Sequence, residues 1–189
     1  MPSPPPPQDL SRLSLAQIAQ LAEDRRLPPV ESWNPAHCGD SEMRIARDGT
    51  WFHQGSQIGR APMVRLFSNI LRREGDGGFV LVTPVEKLSI EVEDAPFLAI
   101  EVKIEGQGQD TVLAFRLNTG DVVVAGPDHP LRFAAREDGP HPYLHVRGGL
   151  EALVGRAVWY ELANLALADD ENPPGLWSRG AFFAFGDAS

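Results

Sequence analysis

The chain has 189 residues, a formal net charge of −9, 42% hydrophobic residues and 23% charged residues, a balance that suits a soluble globular protein with one sizeable core or two small ones. Its 17 Lys and Arg are spread along the chain, which argues against nucleic-acid binding, because neutralising phosphates takes clustered cations. No apolar run reaches bilayer length, and the single cysteine, Cys38, excludes an intrachain disulfide and a multi-cysteine metal site.

Residues 1–37 read as a tail, a short helix and a connector. Met1 to Pro7 lack the charge and apolar core of a secretory signal, so a disordered tail and a cytoplasmic location are expected. Ser14 to Arg26 is a predicted helix, with Ser14 and Gln17 at capping-box spacing. The prolines of Leu27 to Pro35 predict an extended connector that Trp33 anchors by burial. Cys38 reads as a small buried hydrophobe rather than a reactive thiol.

Residues 38–92 form a first motif. Asp48-Gly49 predicts a two-residue turn of the primed type between strands at Met43–Ala46 and Thr50–His53, and Gln54-Gly55-Ser56 predicts a second turn. Pro62 suits the first turn of a helix in which Met63, Leu66, Phe67, Ile70 and Leu71 share an apolar stripe. Arg72 and Arg73 then sit in its last turn, before Gly75 to Gly78 stop it. Phe79 to Val82 and the alternating Leu88, Ile90 and Val92 read as strands separated by Thr83-Pro84.

Residues 93–189 hold a β-meander and a second motif. Leu98, Ile100, Val102 and Ile104 alternate with polar or small residues, Thr111 to Leu117 and Val122 to Val124 follow, and Leu131 with Phe133 begins another strand. Trp51-Phe-His53 matches Tyr143-Leu-His145 at an offset of 92 residues, and Leu66 to Ile70 matches Glu161 to Leu165 at 95. A duplicated unit is therefore expected. The fold class is α+β: two related hairpin-helix-strand motifs, with antiparallel sheets packed on one helix each, preceded by the short N-terminal helix.

Candidate chemistry is sparse. His141 and His145 are four apart, but Pro142 and the alternation of Tyr143, Leu144 and Val146 favour a strand, in which they would lie roughly 13 Å apart. No metal site and no cofactor are expected, and no P-loop, dinucleotide fingerprint or nucleophile elbow is present. Gly126-Pro-Asp-His-Pro-Leu-Arg132 is the most suggestive loop: two prolines stiffen the turn holding Asp128 and His129, and Arg132 could grip a carboxylate or phosphate. Glu86 and Lys87 lie at a strand interruption, and Arg147-Gly-Gly149 could present backbone N–H groups to an anion.

Several segments together, among them Trp33-Asn-Pro35, Cys38-Gly-Asp40, Met43 to Phe52, Leu81 to Lys87, Val92 to Phe97, Ala125 to Arg132 and Val146 to Leu153, resemble the bacterial domain-of-unknown-function family 1285. The likeness spans nearly everything from Leu27 onward. It implies an α+β protein with two related motifs and a signalling or regulatory role, and it carries no catalytic residues. The preferred reading is a module that binds a small molecule or protein partner in a groove between the repeats, with Arg60, Glu86, Lys87, Asp128, His129, Arg132 and Arg147 as candidate liners. The alternatives are a hydrolase-like enzyme using His129 as base with Asp128 or Glu86, and a protein-interaction scaffold without a small-molecule site.

Overall fold

The computed structural model describes residues 13–23 and 27–186, so the proline-rich start lies outside the described residues. In chain order it contains α1 (Leu15–Glu23), β1 (His37–Ile45), β2 (Trp51–His53), β3 (Ser56–Gln57), α2 (Ala61–Asn69), β4 (Leu71–Arg73), β5 (Phe79–Val82) and β6 (Glu86–Val92). The second half has β7 (Phe97–Glu105), β8 (Val112–Leu117), β9 (Val122–Val124), β10 (Leu131–Arg136), β11 (Gly139–Arg147), β12 (Leu150–Val154), α3 (Arg156–Ala168), β13 (Gly175–Ser178) and β14 (Ala181–Ala184). Among the described residues no helix is long and apolar enough to cross a membrane.

Two six-stranded sheets dominate. The first runs β3-β2-β1-β6-β5-β4, and the second, read from β9, runs β9-β8-β7-β12-β11-β10. Six strands later the order is the same: each half pairs its first and last strands in parallel at the centre, with antiparallel neighbours on both sides. β1 and β7 begin 60 residues apart, at His37 and Phe97, and so do β4 and β10, at Leu71 and Leu131.

The fold is thus α+β with two similar halves, but two expectations are corrected. The sheets are mixed rather than antiparallel, and they are not each packed on one helix; α1 contacts β9 and α3 contacts β7, both in the second sheet. The halves are also out of phase with the expected repeat. Trp51 lies on the second strand of its half and Tyr143 on the fifth of the other; α2 joins strands three and four, whereas α3 follows strand six. Apolar periodicity matches any hairpin beside any helix, so it aligned elements that hold different places in the sheet.

Local chemistry explains most elements. Ser14 and Gln17 form the reciprocal capping box: the Ser14 N–H donates to Gln17 Oε1 at 2.8 Å and the Gln17 N–H to Ser14 Oγ at 3.2 Å. The primed turn sits at Gln54-Gly55, where φ is 49° and 81° and His53 pairs with Ser56. Asp48-Gly49 instead belongs to a longer loop closed by Ala46 and Thr50, in which the Ala46 N–H donates to the Thr50 carbonyl at 2.8 Å.

α2 ends at Asn69, and Leu71 to Arg73 form β4 because they pair with Phe79 to Leu81. Arg72 and Arg73 therefore leave the helix. Arg72 is buried and donates to the carbonyls of Val30 and Trp33 at 2.8 and 2.7 Å, which ties the connector to β4. On α2, Val64 and Phe67, with Ile70 just beyond its end, meet the core while Met63 and Leu66 are exposed, so the apolar stripe is rotated from the expected one. In β7 a bulge at Ile100 shifts the register, so Phe97, Ala99 and Val102 turn inward and Ile100 outward. Cys38 is exposed, not buried.

One apolar cluster runs through both halves, from Ile45, Trp51 and Leu71 to Phe97, Phe115, Leu144 and Leu162. The Asn118 side chain reinforces the junction: its Oδ1 accepts from the Leu98 N–H at 3.1 Å, and its Nδ2 donates to the carbonyl of Gly49 in the first hairpin loop at 3.3 Å. Asn118→Ala should lower the unfolding free energy by about 1–2 kcal/mol, seen as a lower urea midpoint with unchanged m-value. A midpoint equal to that of the parent would mean that this residue does not hold the loop.

Candidate functional site

The segment Glu93 to Pro96 joins β6 to β7, and its side chains draw both halves together. Arg44 is hydrogen-bonded to Glu93 Oε1, and the Arg47 N–H donates to Glu93 Oε2 at 2.9 Å. Asp94, whose side chain is only 5% exposed, accepts from Arg47 Nε at 3.0 Å in the first half and from Arg136 Nη2 at 2.9 Å and the Tyr143 hydroxyl at 2.7 Å in the second. Burial opposes ionisation of Asp94, but the hydrogen bonds from Tyr143 and Arg47 and the charges of Arg136 and Arg47 outweigh it and hold the carboxyl below its usual range.

This cluster forms one wall of a cleft of about 210 Å³ between the halves. Strand period explains the opposite wall. On β10 Leu131 and Phe133 enter the core, which leaves Arg132, Ala134 and Arg136 on the other face. Tyr143, opposite Arg132 in the β10–β11 register, lies beneath both guanidinium groups, 4.6 Å from Arg132 and 5.7 Å from Arg136. Arg132 is fixed by a two-pronged bond to Glu151, both contacts 3.0 Å, and that bond raises its already high pKa.

The first half contributes Arg73 and Phe79. Arg73 sits over the Phe79 ring at 5.5 Å and donates to the Gly149 carbonyl at 3.2 Å. It has no carboxylate partner among the described residues. Burial, the hydrogen bond to Asp94 and the Asp94 charge push the Tyr143 hydroxyl up to about 12, so it stays protonated at neutral pH and keeps donating to Asp94. The Asp94 and Glu151 carboxylates of the lining are taken up by Arg47, Arg136, Tyr143 and Arg132, and the three guanidinium groups of Arg73, Arg132 and Arg136 give the arrangement the means to bind and orient an anion.

The residues singled out in the sequence are scattered. Arg132 lines the cleft; Arg60 is the exposed residue preceding α2, and Lys87 pairs with Glu74 at 3.1 Å. Glu86 opens β6 beside a different, apolar pocket under α2. Asp128 is exposed at the tip of its loop, and His129 points its Nδ1 at the His145 carbonyl, 3.1 Å away, with the two rings stacked at 6.3 Å. His129 straps the loop to β11, and no carboxylate orients it among the described residues. Arg147 lies over Phe97 and donates to the Ser68 carbonyl at 2.7 Å, its pKa lowered by burial. Arg73, Arg136, Asp94 and Glu151 carried no signal as a group, although Arg132 and Arg136 flanking Ala134 on a strand had the right spacing for one face.

Two family models divide the chain: the N-terminal domain of a domain of unknown function, DUF1285, matches residues 28–95, and the C-terminal domain of the same family matches 96–185. The chain belongs to the DUF1285 family. The seam between the two DUF1285 models falls beside Asp94, in the segment from which the halves are cross-linked. A DUF1285 protein from Silicibacter pomeroyi DSS-3 is 49% identical, covers 89% of this chain and 93% of its own, and superposes with a TM-score of 0.79. A second DUF1285 protein, from Shewanella baltica OS155, is 28% identical over 68% of this chain and 96% of its own, with a TM-score of 0.52. A search of curated proteins returns no match.

Because the Asp94 pKa is lower in the folded than in the unfolded chain, its stabilisation is complete above the unfolded value of about 3.9, declines below it, and is gone beneath the folded value. Asp94→Asn should cost about 1–3 kcal/mol at pH 7, and the difference from the parent should shrink steadily below about pH 4. Urea midpoints measured from pH 7 down to pH 3 check this; a gap of constant size would separate the loss from the carboxylate charge.

Proposed function

We propose that this DUF1285 chain is a cytoplasmic, non-enzymatic binding module that takes a small anion, or the carboxylate or phosphate end of a larger metabolite, in the cleft between its halves. The observation that carries the reading is the convergence of Arg73 from the first half with Arg132 and Arg136 from the second on one cavity, where Tyr143, its hydroxyl donating to Asp94, lies beneath the latter two guanidinium groups. Arg132 and Arg136 are held by Glu151 and Asp94, so their donors are preorganised, and Arg73 has a guanidinium to spare for a ligand. A cavity of about 210 Å³ suits a compact group rather than a whole cofactor.

A ligand that touches both halves favours whichever relative placement brings them onto it, which is the physical basis for a regulatory role. The hydrolase alternative finds no support in the placement of His129, which contacts a backbone carbonyl.

Thermal-shift titration of the full chain with inorganic phosphate, citrate and nucleoside monophosphates, against chloride at equal ionic strength, tests the proposal. One of these anions should raise Tm saturably, and Arg73→Ala should weaken the apparent affinity about tenfold or more, as expected for losing a charge-assisted contact. No saturable shift with any of them, or an equal shift in Arg73→Ala, would refute it.

A further inference from the structure

A second cavity, of about 450 Å³ and sharing no residue with the cleft, lies between α2 and the first sheet. Its walls are apolar: Met43 from β1, Met63, Phe67 and Ile70 from the α2 segment, and Leu81 and Leu88 from β5 and β6. Two methionines make such a wall adaptable, because the thioether chain is unbranched and polarizable. The size is that of an ordinary small-molecule site. Met63 is 40% exposed, so the apolar wall reaches solvent on the α2 side.

Four polar side chains touch this cavity, and two of them are already committed. Ser41 Oγ donates to the Ser89 carbonyl at 2.7 Å and accepts from the Met43 N–H at 3.1 Å. Thr83 Oγ1 accepts from the N–H groups of Val85 and Glu86 at 3.3 and 3.2 Å. The other two are Glu86 and His53, whose side chains have no hydrogen bond or ion pair among the described residues. The adjacent Lys87 does not neutralise Glu86, since its ammonium is taken by Glu74. A half-buried carboxylate therefore stands unpaired at the edge of an apolar cavity.

That combination selects for charge as well as for apolar bulk. A neutral apolar molecule would fill the walls but leave Glu86 partly desolvated without a partner, and an anionic one would meet like charge. A protonated amine on an apolar body satisfies both parts, with its ammonium on Glu86 and its hydrocarbon against Phe67, Met43 and Leu88. We propose that the pocket under α2 is a binding site for small amphipathic ammonium compounds, separate from the anion-binding cleft and independent of it.

Isothermal titration of the full chain with octylammonium, octanol and octanoate reads the charge preference directly. Octylammonium should bind saturably with one site per chain, octanol about tenfold more weakly, as expected for one charge-assisted contact, and octanoate not measurably. Glu86→Gln should bring octylammonium down to the affinity of octanol while leaving octanol unchanged, and Met63→Trp, at a half-exposed helix position, should block both by filling the cavity. Arg73→Ala should leave octylammonium binding intact, which separates this site from the cleft. Equal binding of octylammonium and octanoate, or octylammonium affinity unaltered in Glu86→Gln, would overturn the proposal; melting curves of the variants confirm that each remains folded.

Discussion

Asp94 is the constraint on which the rest depends. A carboxylate removed from water is stable only if its lone pairs are met by donors, and here the donors come from both halves: Arg47 from the first hairpin, Arg136 and Tyr143 from the second sheet. Placed in the four-residue link between β6 and β7, it cross-links the two halves at their junction. Ala95, Tyr143 and Leu153 form a small apolar cluster beside it, and the Asn118 contacts hold the loop that carries Gly49.

The cleft is a consequence of that joint. Once Arg136 and Tyr143 are pulled towards Asp94, the outer face of β10 and β11 lies against the end of β4 and β5, and the arginines on those strands share one cavity. Glu151 and Asp94 balance two guanidinium groups, which makes the site rigid without making it neutral. The chain as a whole carries a net charge of −9, so this cleft is a local reversal of sign. The pocket under α2 has the opposite design, with apolar walls and one unpaired carboxylate at its rim.

The identical strand order of the two halves shows what they share. Sheet order, with the first and sixth strands parallel at the centre, is common to both. The helices differ: α2 interrupts the first half between strands three and four, where the second half has the Gly126 to Pro130 turn that His129 straps to β11. A helix can be inserted at a strand connection on the surface without disturbing the ladder, whereas exchanging two strands would break every pair.

Much of the local structure was legible because its causes are local. The Ser14–Gln17 box, the helix opened near Pro62, the turn at Gln54-Gly55 and the strand through Tyr143 follow from capping, ring geometry, positive φ and alternation within a few residues. The boundary at Asn69 was not legible, because Leu71 fits the helical stripe as well as it fits a strand and only its pairing with Leu81 decides. The bulge at Ile100 likewise hid which residues of β7 face inward. Of the cleft, Arg132 was visible as a cation in a stiff segment; Arg73, some 60 residues away, was assigned to a helix end. By itself the sequence determined the composition class, the two-part α+β character and the family likeness, since these rest on residue type and short-range period. Which strands lie side by side, and hence which charges converge, was decided only in the tertiary structure, because hydrogen-bonded ladders and buried ion clusters join residues whose separation along the chain leaves no periodic trace.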